Sequence, residues 1–119
     1  MNRRRVPFLP PPPIDDLRWL GVDFDNTIAE TFDYADRTVG YPIQSALEKM
    51  ERARVAGYKI AVWTARPWSD YELIEAWLNH YGIDFDRIEC GKMLVRAMVD
   101  DRAISASAES WLPEDHEIG

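Results

Sequence analysis

The chain has 119 residues, 46% of them hydrophobic and 29% charged, a balance that suits one soluble globular domain and argues against a disordered chain. Its formal net charge of −7 disfavours a sequence-independent nucleic-acid binder, and Cys90, the sole cysteine, excludes an intrachain disulfide and fits a reducing compartment. No apolar run approaches the roughly 20 residues of a membrane span, and no signal-type apolar block follows the basic start, so a cytoplasmic protein with no membrane partner is expected.

In chain order, residues 1–14 carry Arg3, Arg4 and Arg5, then Pro7 and Pro10 to Pro13. Consecutive prolines favour an extended polyproline II arm and cannot form a helix interior. The remaining residues, 15–119, are expected to form a single catalytic domain. Leu17, Trp19, Leu20, Val22 and Phe24 make a near-continuous apolar run, which predicts a first strand covered on both faces. Residues 28–41 are polar and irregular. Pro42 suits the first position of a helix whose stripe is Ile43, Ala46, Leu47, Met50 and Ala53, ended by Gly57.

Tyr58 to Ala65 predicts a second buried strand, through Ile60, Ala61, Val62 and Trp63. Ser69 and Glu72 have the spacing of a capping box before a second amphipathic helix (Ile74, Trp77, Leu78, Tyr81) stopped by Gly82. Arg87 to Cys90 predicts a short third strand and Leu94 to Val99 a fourth. Beyond Ile104 a short helical turn is expected, with Trp111 packing back.

This order of elements implies a three-layer, Rossmann-like open parallel α/β sheet with helices on both faces. Right-handed crossovers set every strand's C-terminal end on one edge, and ligands bind there, at the switch in strand order. The first strand closes with Asp23-Phe24-Asp25-Asn26-Thr27, the second with Thr64-Ala65-Arg66, the third is followed by Gly91-Lys92, and the fourth closes with Asp100-Asp101. Strand alternation sends Asp23 and Asp25 to one side. Unit charges about 4 Å apart repel by roughly 4 kcal/mol at an effective dielectric near 20, so carboxylates gathered at one rim demand protons or a cation. An all-oxygen set favours Mg²⁺ over zinc. His80, His116 and Cys90 are scattered and match no zinc spacing. Each acidic pair taken alone is an ordinary turn or solvated loop; their conjunction at successive strand ends is what points to chemistry.

These residues resemble the four motifs of the haloacid dehalogenase superfamily of phosphotransferases, and the resemblance spans roughly residues 17–104. Asn26 stands where that family most often has glycine, and Asn is the residue other than glycine that best tolerates positive φ. The resemblance implies a Mg²⁺-dependent phosphomonoester hydrolase acting through an aspartyl-phosphate. Asp23 would be nucleophile and metal ligand. Asp25 would be acid/base, with its backbone carbonyl on the metal. Thr64 and Lys92 would hold the phosphoryl oxygens, Asp100 would bind the ion and Asp101 would support it.

Arg66 and Trp68, on the same edge, are candidates for touching the leaving group. Residues 28–41 and Asp84 to Gly91, the two places where that family inserts a cap domain, are too short for one. An open site admits a nucleotide, a sugar phosphate or a nucleic-acid end, or is completed by a second copy in a homo-oligomer. The alternatives are a catalytically inactive relative serving as a binding domain and a phospho-accepting receiver module. In the receiver pattern the adjacent Asp pair closes the first strand, the reverse of the order here.

Overall fold

A computed structural model describes residues 18–118, together with the backbone but not the side chain of Tyr34; the proline-rich arm at 1–14 lies outside the described residues. Strands β1 (Trp19–Asp23), β2 (Lys59–Trp63) and β3 (Arg87–Glu89) form an open parallel sheet in the order β1-β2-β3. Helix α1 (Gln44–Val55) joins β1 to β2, and α2 (Tyr71–His80) joins β2 to β3. Among the described residues no helix is long and apolar enough to cross a membrane.

Both crossovers step the same way along the sheet, so right-handed connections put α1 and α2 on one face. Burial agrees. Val22, Ile60, Val62 and Ile88, which point to that face, are at most 4% exposed and pack with Ala46, Met50 and Ala53 of α1 and Ile74 and Leu78 of α2. The opposite face carries Trp19, Gly21, Asp23, Lys59, Trp63 and Glu89, all half-buried or exposed. Among the described residues both helices thus cover one face, and the second helical layer expected from the sequence is not among them; the other face borders coil of the C-terminal segment, where Trp111 is buried.

Three further expectations change. Leu94 to Val99 forms no strand; Leu94 and Val99 are largely exposed, and Asp100 and Asp101 lie in exposed coil and close nothing. The order β1-β2-β3 consequently contains no reversal among the described strands. Pro42 precedes Ile43, the extended residue that enters α1, so it stands one step before the cap and not inside the helix. Ser69 sits within a 3₁₀ turn (Trp68–Asp70) that runs into α2, so the capping box does not form. Both helix ends fall where glycine is placed to stop them: Gly57 and Gly82 follow α1 and α2 with positive φ of 98° and 66°. The chain after Ile104 ends in a 3₁₀ turn (Pro113–Asp115), and Trp111 Nε1 donates to the Ala106 carbonyl at 3.2 Å.

Candidate active site at the strand ends

β1 ends at Asp23, and the chain then folds tightly on itself. The amides of Thr27, Ile28 and Ala29 all donate to the Phe24 carbonyl, at 3.3, 2.9 and 3.0 Å. Asn26 takes φ of 59°, the left-handed conformation its side chain tolerates, and its Oδ1 accepts the Thr31 amide at 3.0 Å. The strand stops there, and although Asp23 and Asp25 both border the cleft over the strand ends, their carboxylates meet different partners.

Asp23 stays at the rim with its side chain 42% exposed. Lys92 Nζ donates to Oδ1 at 3.1 Å, and Thr27 Oγ1 donates to Oδ2 at 3.2 Å. Lys92 arrives from beyond β3. The chains following β2 and β3 remain paired, the Lys92 amide on the Thr64 carbonyl at 2.9 Å and the Gly91 amide on the Arg66 carbonyl at 2.8 Å. Gly91, with φ of 79°, turns the backbone so that Lys92 reaches back over the Trp63 ring, 4.9 Å from its centre, to Asp23.

Asp25 is buried, and every recorded contact to its carboxylate comes from a donor. Arg66 Nε lies 3.1 and 3.0 Å from its two oxygens, Arg66 Nη2 lies 2.9 Å from Oδ1, and Thr31 Oγ1 donates to Oδ1 at 2.5 Å. The rest of the Arg66 fork is also occupied: Nη1 bonds the Arg37 carbonyl and Asp70 Oδ2, and Nη2 bonds the Thr38 carbonyl. Five N–H donors on two carboxylates and two carbonyls leave none for a substrate. Burial by itself would make the guanidinium easier to deprotonate, but Asp25 and Asp70 outweigh it and hold its pKa above the ordinary arginine value. Arg37 pairs with the other Asp70 oxygen.

The other predicted residues are placed as follows. Thr64 is fully buried, its Oγ1 accepting the Arg66 amide at 3.1 Å, and it lines neither of the two clefts described below. Trp68 stacks on Tyr71 at 6.1 Å. Asp100 Oδ1 accepts the amide of Arg102 at 2.9 Å. Cys90 is buried, and desolvation, with the charges of Asp70 and Glu89, pushes its thiol up to about 11, the opposite of an activated nucleophile.

Two clefts meet at the Asp23–Lys92 pair. One, of about 490 Å³, lies over the strand ends between Asp25, Arg66 and the Met93–Met98 coil. The other, of about 520 Å³, runs along the open face of the sheet past Trp19 and Trp63, with Asp100 on its wall. The structure thus brings together Asp23, Lys92 and, across the second cleft, Asp100; Asp25 and Arg66 face the first cleft as a closed pair; Thr64 and Asp101 line neither. Buried Asp70, the exposed Arg37 that pairs with it, and Trp63, which floors the second cleft, were not singled out by sequence.

The donor set can be tested against Mg²⁺. Both oxygens of Asp23 and of Asp25 accept from protein donors, and Asp100 bonds its own turn. Among the described residues no group of three or more His, Cys, Asp or Glu side chains gathers where an ion could be held. In this arrangement the residues do not fit the ion, and no chemical step is routed through one here.

No family model and no curated protein matches this chain. Among solved structures, the crystal structure of an MCSG target from Vibrio cholerae aligns with a TM-score of 0.61 and 29% identity, over 75% of this chain and 84% of that one. That likeness supports the open α/β fold and names no activity.

Proposed function

We propose that the protein is a phosphomonoester hydrolase whose nucleophile is Asp23 and whose substrate is a phosphorylated small molecule. Mg²⁺ is its expected cofactor only in an arrangement where an Asp23 oxygen is released from Thr27 or Lys92, because in the present one both are taken. One observation carries the proposal: a half-exposed carboxylate at the C-terminal rim of a parallel sheet, 3.1 Å from a lysine, where two clefts meet. An Asp23 oxygen attacks phosphorus, the ester bond breaks and the alcohol leaves; water then attacks the aspartyl-phosphate at phosphorus and returns the carboxylate. Lys92 offsets the charge that builds on the phosphoryl oxygens as it now offsets that of Asp23. Asp25, two residues on, is the acid/base of this scheme: an oxygen released from Arg66 first takes a proton from solvent, passes it to the leaving oxygen, and regains it from the water that attacks the aspartyl-phosphate.

The same reading carries a three-layer architecture without a cap domain. In its support, residues 28–41 hold only a 3₁₀ turn (Tyr34–Asp36) and isolated bridges, and 84–91 hold only β3. Cytoplasmic location belongs to this proposal too.

The assay is aryl-phosphate hydrolysis with Mg²⁺, with EDTA and for Asp23→Asn. The proposal expects loss in the second and at least a thousandfold loss in the third. Equal rates in all three would remove Asp23 from the chemistry. A second reading, a catalytically inactive binding domain, is favoured by the sealed Thr64 and the Arg66-bound Asp25. It expects no turnover above background under any of these conditions.

A further inference from the structure

The open sheet face beside Asp23 has an aromatic floor with a gap in it. Asp23 and Trp63 are register partners on neighbouring strands, so their side chains leave the same face with backbones about 4.8 Å apart. Even with Lys92 over its ring, Trp63 is 41% exposed, unusual for a tryptophan on the central strand of a sheet. Gly21, two residues before Asp23, lies mid-strand and exposed. A Cβ there would meet its nearest atom, Trp63 Cε3, at 3.5 Å, an ordinary contact, so crowding does not explain the glycine. Glycine inside a strand weakens it and often marks close approach by another group. Here its missing side chain extends the groove between Trp19 and Trp63. The groove's 520 Å³ falls within the range of small-molecule sites, and Lys92 and Arg102 stand on its walls.

We propose that this groove is the leaving-group subsite of the Asp23–Lys92 centre and that it takes a nucleoside, making a nucleoside monophosphate the substrate. Its position beside Asp23 rests on the hydrolase reading; its capacity to bind a base does not. The phosphate lies at Lys92, the ribose passes over Gly21, and the base stacks on Trp63. Arg102 and Asp100 supply a donor and an acceptor for base edge and hydroxyls. A free sugar phosphate could use only the polar contacts of Arg102 and Asp100 and would leave the indole of Trp63 and Met98 uncovered, whereas a base gains by stacking there.

The test is isothermal titration of the full chain with adenosine, adenosine 5′-monophosphate and ribose 5-phosphate, for the wild type, Trp63→Leu, Trp63→Phe and Gly21→Val, each checked for folding by circular dichroism. The wild type binds both adenosine compounds at least tenfold more tightly than ribose 5-phosphate. Stacking on an aromatic side chain contributes about 1–3 kcal/mol, so Trp63→Leu weakens adenosine by roughly 5- to 150-fold. Trp63→Phe weakens it less, and Gly21→Val, filling the groove, abolishes it. Absence of adenosine binding in the wild type, or binding that Trp63→Leu and Gly21→Val leave intact, overturns the subsite. Adenosine carries no phosphate, so the two readings fail separately. Trp63-dependent adenosine binding with no ester hydrolysis would sink the hydrolase and keep the groove. Aryl-phosphate hydrolysis without adenosine binding would do the reverse.

Discussion

Asp23 and Asp25 stand two residues apart in one short motif, yet the fold treats them in opposite ways. Asp25 is 7% exposed and bonded to a buried guanidinium, itself bonded to three other groups. Asp23 is half-open, and its lysine partner lies at the mouth of two clefts. The contrast teaches that the same residue type is structural where its partners come from all sides and available for chemistry where one side is left to solvent. Arg66 works as a staple: its fork joins the turn after β1, the loop at residues 37–38 and the turn before α2.

The largest effect should come from breaking the closed half. Removing one partner of a buried ion pair typically costs about 3–5 kcal/mol because the other charge is left stranded. Arg66→Met should lower the urea midpoint accordingly, and combining it with Asp25→Asn should cost less than the two singles added together. An unfolding free energy within about 0.5 kcal/mol of wild type, on the order of an ordinary surface change, would erase the distinction between the two carboxylates.

The open half should respond in the opposite sense. Asp23→Asn and Lys92→Met should each shift unfolding by only about 1 kcal/mol, since the pair is partly open to solvent on the Asp23 side. Asp23→Asn nonetheless carries the thousandfold loss of turnover expected above. A large stability loss in either variant would make that pair a structural element as well.

The next effect reads burial beneath the site. The Cys90 thiol is raised from 9 to about 11, so the folded state holds its proton more tightly than the unfolded chain. That stabilisation is complete below pH 9 and is lost as pH rises from 9 toward 11. Melting temperatures across this range should fall less steeply for Cys90→Ala, and native Cys90 should resist alkylation at pH 8. Equal slopes would mean the thiol is not sealed.

The smallest effect is expected at the C-terminal turn. Tyr58 Oη donates to Glu114 Oε1 at 2.7 Å, and that bond holds the glutamate below its ordinary value of 4.5. The stabilisation is present above that value and lost as pH falls through the lowered pKa. Tyr58→Phe should flatten this acid limb of the stability profile slightly, measured by urea unfolding between pH 3 and pH 6 (roughly the span around an ordinary carboxylate). No change would detach the turn from the core.

Much of the scaffold was legible because its signals are local. The stripe Ile43, Ala46, Leu47, Met50, Ala53 gives α1, with Ala46, Met50 and Ala53 buried, and Gly57 ends it. The runs around Val22, Val62 and Ile88 give the three strands. The fourth predicted strand failed for a reason that applies to any short apolar run: periodicity over six residues does not say whether a neighbour exists to pair with. The face of Trp63 was misread for a related reason. An apolar run looks the same whether both sides of a strand are covered or an aromatic side chain faces open water.

The sequence alone determined the two helices, the three strands and the polar groups that stand where β1 and β2 stop, because backbone preference and side-chain period act over neighbouring residues. Only the tertiary structure decided which carboxylate is neutralised and which stays open. Arg66 meets Asp25 across 41 positions and Lys92 meets Asp23 across 69, and no local rule brings such distant groups into contact. Their pairing follows from the order and register of the strands and from the turns that aim the chain beyond them.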